Sequence, residues 1–386
     1  MDKTNPIRQM NEQKVIRQII ANGTISRSQI SRNLGLNKPS VSEIVDKLIN
    51  QGFVTELGPG ESTSSGGRRP TNLQLNVDFG YVVIYELGED VVYRMMSRID
   101  ASVFSVTEYA EPDHDIQKRM QIMIAHAQDA DAPKGVPLRG VAVAVHGIVD
   151  QNQVVFSPFL DFKKVDVATQ LNTTLHVPVK IENEANLSAI YVRDFDNHQR
   201  SKDLICISIH QGIGAGIIID GRLRTGNHGE AGEIGQSVVY DHSLSSRGQL
   251  RTIESICSET AILQIVRERT GWKNFDLERL VSWYRRPDSL ITGILNDFCY
   301  YIANVIYNVT MTIGPERIAL NSRLIQALPE LLIKIQNNIP KHASSPIQID
   351  LVSDVRQCTL LGGCSVILRE LLNTGEEPLT FKHLLS

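Results

Sequence analysis

The sequence predicts an α/β protein in two parts: a small helical head, then a larger body in which strands alternate with helices. Three observations predict it. From about Gln9 to Leu75, apolar residues recur at helical spacing and are followed by two short alternating stretches. From Tyr81 onward, apolar runs of strand length stand between longer helical patterns. Charge divides near the same place. Residues 1–70 hold ten Lys and Arg against six Asp and Glu, net +4, and the rest carries −8, within a total of −4. A basic head on an acidic body suits a small nucleic-acid module joined to something else.

The head can be justified element by element. Val15, Ile16, Ile19 and Ile20 mark one face of a first helix, which Asn22-Gly23 ends. Ser26 caps a second helix over Arg27–Leu34, and Gly35 turns the chain. Asn37 caps a third, with Pro39 in its first turn, where the missing N–H has no intrahelical partner. That helix places Val41, Ile44, Val45 and Leu48 on one face and stops at Gly52. Phe53–Leu57 and Thr71–Leu75 alternate like two strands around a Gly- and Ser-rich loop. Three helices followed by a hairpin make a winged helix-turn-helix, here residues 1–75.

Such a unit lays its last helix in the major groove, N-terminal residues first. Those residues are Asn37, Lys38, Ser40 and Ser42, with Ser26, Arg27 and Ser28 as candidates for the DNA backbone. The wing carries Gly66-Gly67-Arg68-Arg69-Pro70. Its glycines, Gly67 included, let the backbone approach a narrow groove, and Arg68 and Arg69 bring charge into it. Helix-turn-helix patterns also occur as plain packing units; the arginine-bearing wing argues against that reading.

At 386 residues the chain is long enough for two or three domains. With 42% hydrophobic and 21% charged residues, it has the composition of an ordinary globular protein. No uninterrupted apolar run approaches the roughly 20 residues that span a bilayer, so no membrane partner is expected. Residues 1–10 are polar and lack the apolar core of a secretory leader. Five cysteines without a CxxC pair suit reduced thiols in a cytosol, and a cytoplasmic location is expected.

In the body, Val141–Val145, Val179–Ile181, Leu204–Ile209, Ile217–Ile219, Ile318–Leu320 and Ile347–Leu351 read as short buried strands, and Ile291–Met311 as a long helix. Six segments stand in order along it: Glu86-Leu87-Gly88-Glu89-Asp90 after Asn76–Tyr81, His146-Gly147-Ile148-Val149-Asp150, Ile181–Asn186, Gly212–Gly216, Gly232-Glu233-Ile234-Gly235-Gln236 and Ser245–Glu254. This order, behind a winged head, resembles the ROK family (repressors, open reading frames, kinases) and, within it, the xylose-repressor type. The resemblance implies a two-lobed actin- or hexokinase-like body. Its first lobe covers 76–182, with a C-terminal helix over 366–386 packing back on it, and its second covers 183–365.

The resemblance also shows what is missing. The kinases of the family open their first phosphate motif with Asp and end it with a hydroxyl; here Glu86 and Asp90 stand there. A carboxylate at Asp90 would repel a polyphosphate. Glu184 replaces the catalytic Asp, and Asn321-Ser322 replaces a Gly pair against which adenosine packs. No catalytic residue and no cofactor are therefore expected. The family's zinc uses three Cys and one His; their positions hold Ser245, Arg247, Thr252 and Gln236, so no metal is expected.

What remains suits a sugar. By motif, Asn183, Glu184, Glu233 and Glu254 keep carbonyl or carboxylate oxygens at ligand positions, and Gln236 stands in for a histidine. His146 stands where proline is usual. The expected function is a transcriptional regulator that binds a pseudo-palindromic double-stranded DNA operator as a homodimer or higher homo-oligomer. A small sugar, xylose or a relative, closes the cleft between the lobes and modulates that binding. Two alternatives stand beside it: an active ATP-dependent sugar kinase with a DNA-binding appendage, and a constitutive DNA-binding protein with an empty cleft.

Overall fold

A computed structural model describes residues 6–59, 71–162, 165–197, 201–241, 249–286, 288–340 and 347–381. The chain divides into two compact units, Met1–Glu182 with Leu360–Ser386, and Asn183–Thr359.

In the first unit the head comprises α1 (Pro6–Asn22), β1 (Ile25–Ser26), α2 (Arg27–Leu34), α3 (Lys38–Asn50), β2 (Val54–Pro59) and β3 (Thr71–Leu75). The expected caps are present. Ser26 and Gln29 form a reciprocal capping box, Gly35 ends α2 with φ 64°, and Asn37 accepts the Ser40 N–H at 2.8 Å. The apolar faces of α1 and α3 are buried. One expectation changes: the hairpin gains a third strand, in the order β1-β3-β2, with Ile25 opposite Leu73. Two residues are too few for alternation to reveal.

The body of this unit is a five-stranded sheet in the order β10-β7-β4-β5-β6. Its strands are β4 (Tyr81–Leu87), β5 (Val91–Arg98), β6 (Val103–Ala110), β7 (Leu138–Val145) and β10 (Val179–Asn183). Helix α4 (Ile116–His126), the small pair β8 (Ile148–Asp150) and β9 (Gln153–Phe156), and α5 (Val167–Leu175) fill the connections. The expected alternation begins only after Ala110, because β4, β5 and β6 form an antiparallel meander first. Tyr81–Tyr85 is buried throughout, as a central strand covered on both faces must be.

The second unit starts with α6 (Glu184–Asp194) and builds a sheet in the order β13-β12-β11-β16-β17. The strands are β11 (Leu204–Ile209), β12 (Ile213–Ile219), β13 (Arg222–Leu223), β16 (Arg317–Asn321) and β17 (Gln348–Leu351). Between them come the hairpin β14 (Val238–Asp241) and β15 (Gln249–Thr252), then α7 (Glu254–Cys257), α8 (Glu259–Thr270), α9 (Leu277–Tyr284) and α10 (Ser289–Ile313). Helices α11 (Arg323–Ala327) and α12 (Glu330–Asn338) follow β16. By length and mean hydropathy α10 would cross a membrane, which its interrupted apolar runs do not suggest. However, Ile291, Leu295, Phe298 and Ile302 are in the unit's core, and Asp297 and Asn308 are on its exposed side, the pattern of a core helix in a globular domain.

The last helix is α13 (Cys358–Leu372), not the 366–386 expected from the sequence. Asn373 and Gly375 adopt φ of 47° and 73°, and Pro378 follows, so the helix cannot continue. From Leu360 on it belongs to the first unit, where it packs closely on the sheet. A Cβ on Gly363 would lie 2.7 Å from Ile84, and one on Gly140 2.5 Å from Ile367.

Candidate DNA-binding head and ligand corner

On the head, the start of α3 is the best-presented surface. Asn37 and Lys38 are exposed, and Ser40 and Ser42 are half-buried on the following turn. Lys38 makes no hydrogen bond or ion pair among the described residues, and the first turn of α3 holds no carboxylate. A cation at the positive end of a helix dipole is unfavourable by itself. It becomes useful when an external anion binds there, since the helix start and the ammonium then attract the same phosphate.

The residues at the start of α2 are differently employed. Ser26 is buried, and its hydroxyl caps the helix, so it is withdrawn from the candidate DNA contacts. Ser28 is half-buried, with its hydroxyl 3.0 Å from that of Ser26. Arg27 donates to Asp46 at 2.8 Å and to Glu56 at 2.5 Å, tying α2 to α3 and β2. Gly67, Arg68 and Arg69 lie outside the described residues, between β2 and β3.

In the second unit, glycines let three segments converge on β12. Gly232 has φ 96°, and a Cβ there would sit 1.8 Å from the Ala215 carbonyl oxygen; one on Gly235 would sit 2.3 Å from that of Ile213. The turn bearing Glu233 and Gln236 is thereby pressed onto β12. Gly216 gives the same close approach to the first turn of α6, where a Cβ would meet the Ala185 carbonyl at 2.4 Å.

Glu254, at the start of α7, closes the corner. Its Oε2 accepts the Ile213 N–H at 3.0 Å, and its Oε1 accepts from the Gln236 amide at 3.2 Å. Glu233 is half-buried and has no hydrogen-bond donor among the described residues. Burial first, and then the neighbouring carboxylates Glu254 and Glu230, push its pKa up. Glu233, Gln236 and Glu254 are thus brought together, with acceptor capacity left over.

Asn183 and Glu184 have other duties. Asn183 caps α6, accepting from the N–H groups of Ala185 at 2.8 Å and Asn186 at 3.2 Å. Glu184 is buried. Its Oε1 accepts from Ser208 at 2.9 Å, Ser188 at 3.0 Å, Thr359 at 3.2 Å and Asn321 at 3.5 Å. The Oε1 atom so engaged is a structural knot that ties α6, β11 and β16 together. Asn321 and Ser322 are fully buried in the same region; Asn321 also donates to Ser188 at 3.0 Å, and Ser322 caps α11. His210 is a residue that the sequence did not point out. Its Nε2 lies 3.9 Å from Glu184, and its Nδ1 is buried without a partner among the described residues. Its position two residues before Gly212 was the available signal.

The turn at the position of the family's first phosphate motif lies in the first unit and is bridged by its own residues. The buried Arg119 donates to the Gly88 and Glu89 carbonyls and to Glu111. His114 pairs with Asp90 at 3.1 Å, and His146 lies 3.5 Å from Glu86. The Glu89 and Asp90 side chains bring negative charge to a turn whose carbonyls are held by Arg119.

The residues at the family's zinc positions do not fit zinc. The Gln236 amide is bonded to Glu254, and the Thr252 hydroxyl accepts from Ser255 N–H at 3.3 Å. Neither is a thiolate or imidazole; Ser245 and Arg247 lie outside the described residues. This segment is tied down by strand pairing instead, from Val238 opposite Thr252 to Asp241 opposite Gln249, and by Ile253 N–H donating to Ser237 at 2.9 Å.

Comparison with known proteins gives the family of this fold. A ROK family profile matches residues 86–363, and a winged helix-turn-helix DNA-binding profile matches 11–55. The chain is 36% identical to the xylose repressor of Lactiplantibacillus pentosus over 378 residues, 97% of each chain. It is 36% identical to that of Staphylococcus xylosus over 377 residues, 96% of this chain and 98% of the other. Among solved structures, a ROK family transcriptional regulator homologous to the E. coli MLC protein superposes with TM-score 0.78 at 21% identity, covering 96% of this chain and 98% of that one. A ROK glucokinase from Streptomyces griseus, solved with glucose and AMPPNP, superposes with TM-score 0.65 at 20% identity, over 75% of this chain and 99% of the other. This chain belongs to the ROK family and carries a winged helix-turn-helix DNA-binding domain at its head.

Proposed function

We propose that this protein represses carbohydrate genes, binding operator DNA through its head and releasing it when a small uncharged sugar occupies the corner at Glu233, Gln236 and Glu254. The single observation that carries the sugar half of this reading is Glu233: a half-buried carboxylate without a donor among the described residues, beside carboxylates that repel it. Sugar hydroxyls supply such donors. A phosphorylated sugar would bring two negative charges to carboxylates, so the neutral form is favoured.

The body works as a sensor, not a kinase. Arg119 holds the carbonyls of the turn at the family's first phosphate motif, carboxylates stand on that turn, and Asn321-Ser322 stand where the family's kinases have a Gly pair. Xylose is the first candidate effector, because full-length relatives are named for it. In this reading two copies in the cytoplasm place two heads on a pseudo-palindromic operator. Lys38 and Asn37 enter the groove, with Ser40, Ser42, Arg68 and Arg69 beside them. The sugar favours the conformation with lower DNA affinity, and the response equals its differential affinity for the two states.

The test is a titration of promoter DNA with and without a panel of pentoses, hexoses and their phosphates, alongside an assay for ATP consumption. DNA binding relieved by a neutral sugar is expected. Sugar-dependent ATP turnover, or a phosphate ester as the stronger effector, would overturn the reading.

A further inference from the structure

After α13 the chain stays packed as far as Phe381. We infer that residues 373–381 form a strap that holds the DNA-binding head on its own unit in one pose, with Arg17 as the positioning residue. This extends the proposed function, because a fixed pose is what allows two heads to meet two half-sites at a set spacing.

Two arginines grip neighbouring carbonyls of the strap from different elements. Arg17 of α1 donates to the Thr374 carbonyl at 2.8 Å. Arg369 of α13 donates to those of Gly375 at 2.9 Å and Glu377 at 2.7 Å. Glu377 also lies close enough to act electrostatically on the half-buried Arg17 guanidinium. Charge-assisted bonds of this kind are among the stronger polar ties a surface segment can make.

Packing agrees. Thr374 is fully buried, and Leu379 and Phe381 are almost so, which anchors the far end of the strap. Gly375 adopts φ 73°, and a Cβ there would lie 3.0 Å from the side chain of Gln13 on α1. The left-handed turn favours glycine, and a larger side chain would also press on the Gln13 amide. Leading into the strap, α13 is seated on the sheet at Gly363 and Ile367 and tied by Lys180 to Glu370 at 3.1 Å.

A second joint lies between the turn that ends α3 and the segment that follows β3. Phe53 packs on Phe79 with centroids 4.7 Å apart, Arg139 covers Phe79 at 4.2 Å, and Asn76 donates to the Gly52 carbonyl at 2.9 Å. One joint alone would leave the head free to swivel about it. The strap, holding α1, removes that freedom.

The experiment uses the full chain and DNA that the wild type selects from a random-sequence library. Arg17→Ala and Gly375→Val are compared with wild type and with the conservative Arg17→Lys. Affinity is measured for one half-site, for two at the selected spacing and for two moved apart by half a helical turn. Hydrogen exchange of residues 6–22 and 373–381 is followed in parallel. Both disruptive variants are expected to keep half-site affinity within about twofold. They should lose roughly tenfold on the paired site, tolerate altered spacing, and exchange faster at 373–381; Arg17→Lys should recover part of the loss. Unchanged exchange at 373–381 in both disruptive variants would overturn the strap. An equal loss on half-site and paired site would overturn the positioning role, leaving Arg17 as a support of the head's fold. A wild type indifferent to spacing would instead defeat the two-headed reading of the operator, and the exchange data alone would then decide the strap.

Discussion

Glu184 and Glu233 stand at two motifs of the same domain, and their surroundings could hardly differ more. One oxygen of Glu184 collects donors from α6, β11, β16 and α13. Glu233 has no donor among the described residues and faces other carboxylates. The first has one oxygen taken up by the fold. The second costs the fold something, since burial and neighbouring carboxylates both disfavour its charged form, and the proposed sugar would supply the donors it lacks. The head repeats the contrast with cations: Arg27 is committed to Asp46 and Glu56, whereas Lys38 sits unpaired among the described residues at a helix start. A residue's type does not separate scaffold from site, but the state of its hydrogen-bonding partners does.

The contrast can be broken most forcefully at Glu184. Glu184→Ala would leave Ser188, Ser208, Thr359 and Asn321 without their shared acceptor, and denaturant unfolding should show a loss of about 3–5 kcal/mol. Glu184→Gln, which keeps one acceptor oxygen, should lose less than half of that. If Glu184→Ala were as stable as wild type but blind to sugar, the two glutamates would have to exchange roles.

Next in size are the cations offered to DNA. Arg68→Ala with Arg69→Ala should weaken operator binding by about 1–3 kcal/mol for each arginine that reaches a base edge, and should flatten the dependence of binding on salt. Lys38→Ala should weaken binding by about 1 kcal/mol with no loss of stability. Arg27→Ala should do the reverse, lowering the unfolding free energy by up to about 1 kcal/mol with a smaller effect on DNA affinity. Equal effects of Lys38→Ala and Arg27→Ala on an anisotropy titration would erase the distinction drawn between them.

The finest test is pH. Glu233 has its folded pKa raised, so the folded state favours the protonated carboxyl, and ionisation at neutral pH works against folding. Its contribution is most favourable below the ordinary carboxylate pKa of 4.5 and is lost as pH rises through the raised value. Glu233→Gln should therefore melt at a higher temperature than wild type at pH 7, with the gain shrinking toward pH 4. Its operator binding should persist while the sugar response disappears. A gain that grew on acidification would contradict the like-charge origin of the shift.

Much of this was legible in the sequence where the cause is local. Ser26, Asn37 and Gly35 announce helix ends because a cap is formed by residues within three positions of it. The buried strands β7, β11 and β16 were legible as continuous apolar runs, and the family positions at Glu233 and Glu254 by their flanking residues. Less legible were β1, the meander after Tyr81 and the start of α13. A two-residue strand has no period, antiparallel neighbours cannot be told from their own composition, and Cys358–Leu361 reads as apolar in either state.

The sequence by itself determined the winged head, the α/β body and which residue types stand at the family's phosphate and zinc positions, since each depends on which residues are present and how they are spaced. Only the tertiary structure decided which candidates are occupied. That Ser26 and Glu184 are buried in service of the fold, that Arg119 reaches the Gly88 turn, and that the segment after α13 grips α1 all depend on partners up to 357 residues away in the chain. A carboxylate or a guanidinium acquires its role from the donors and acceptors within about 3 Å of it, and those neighbours are assembled only when the chain folds.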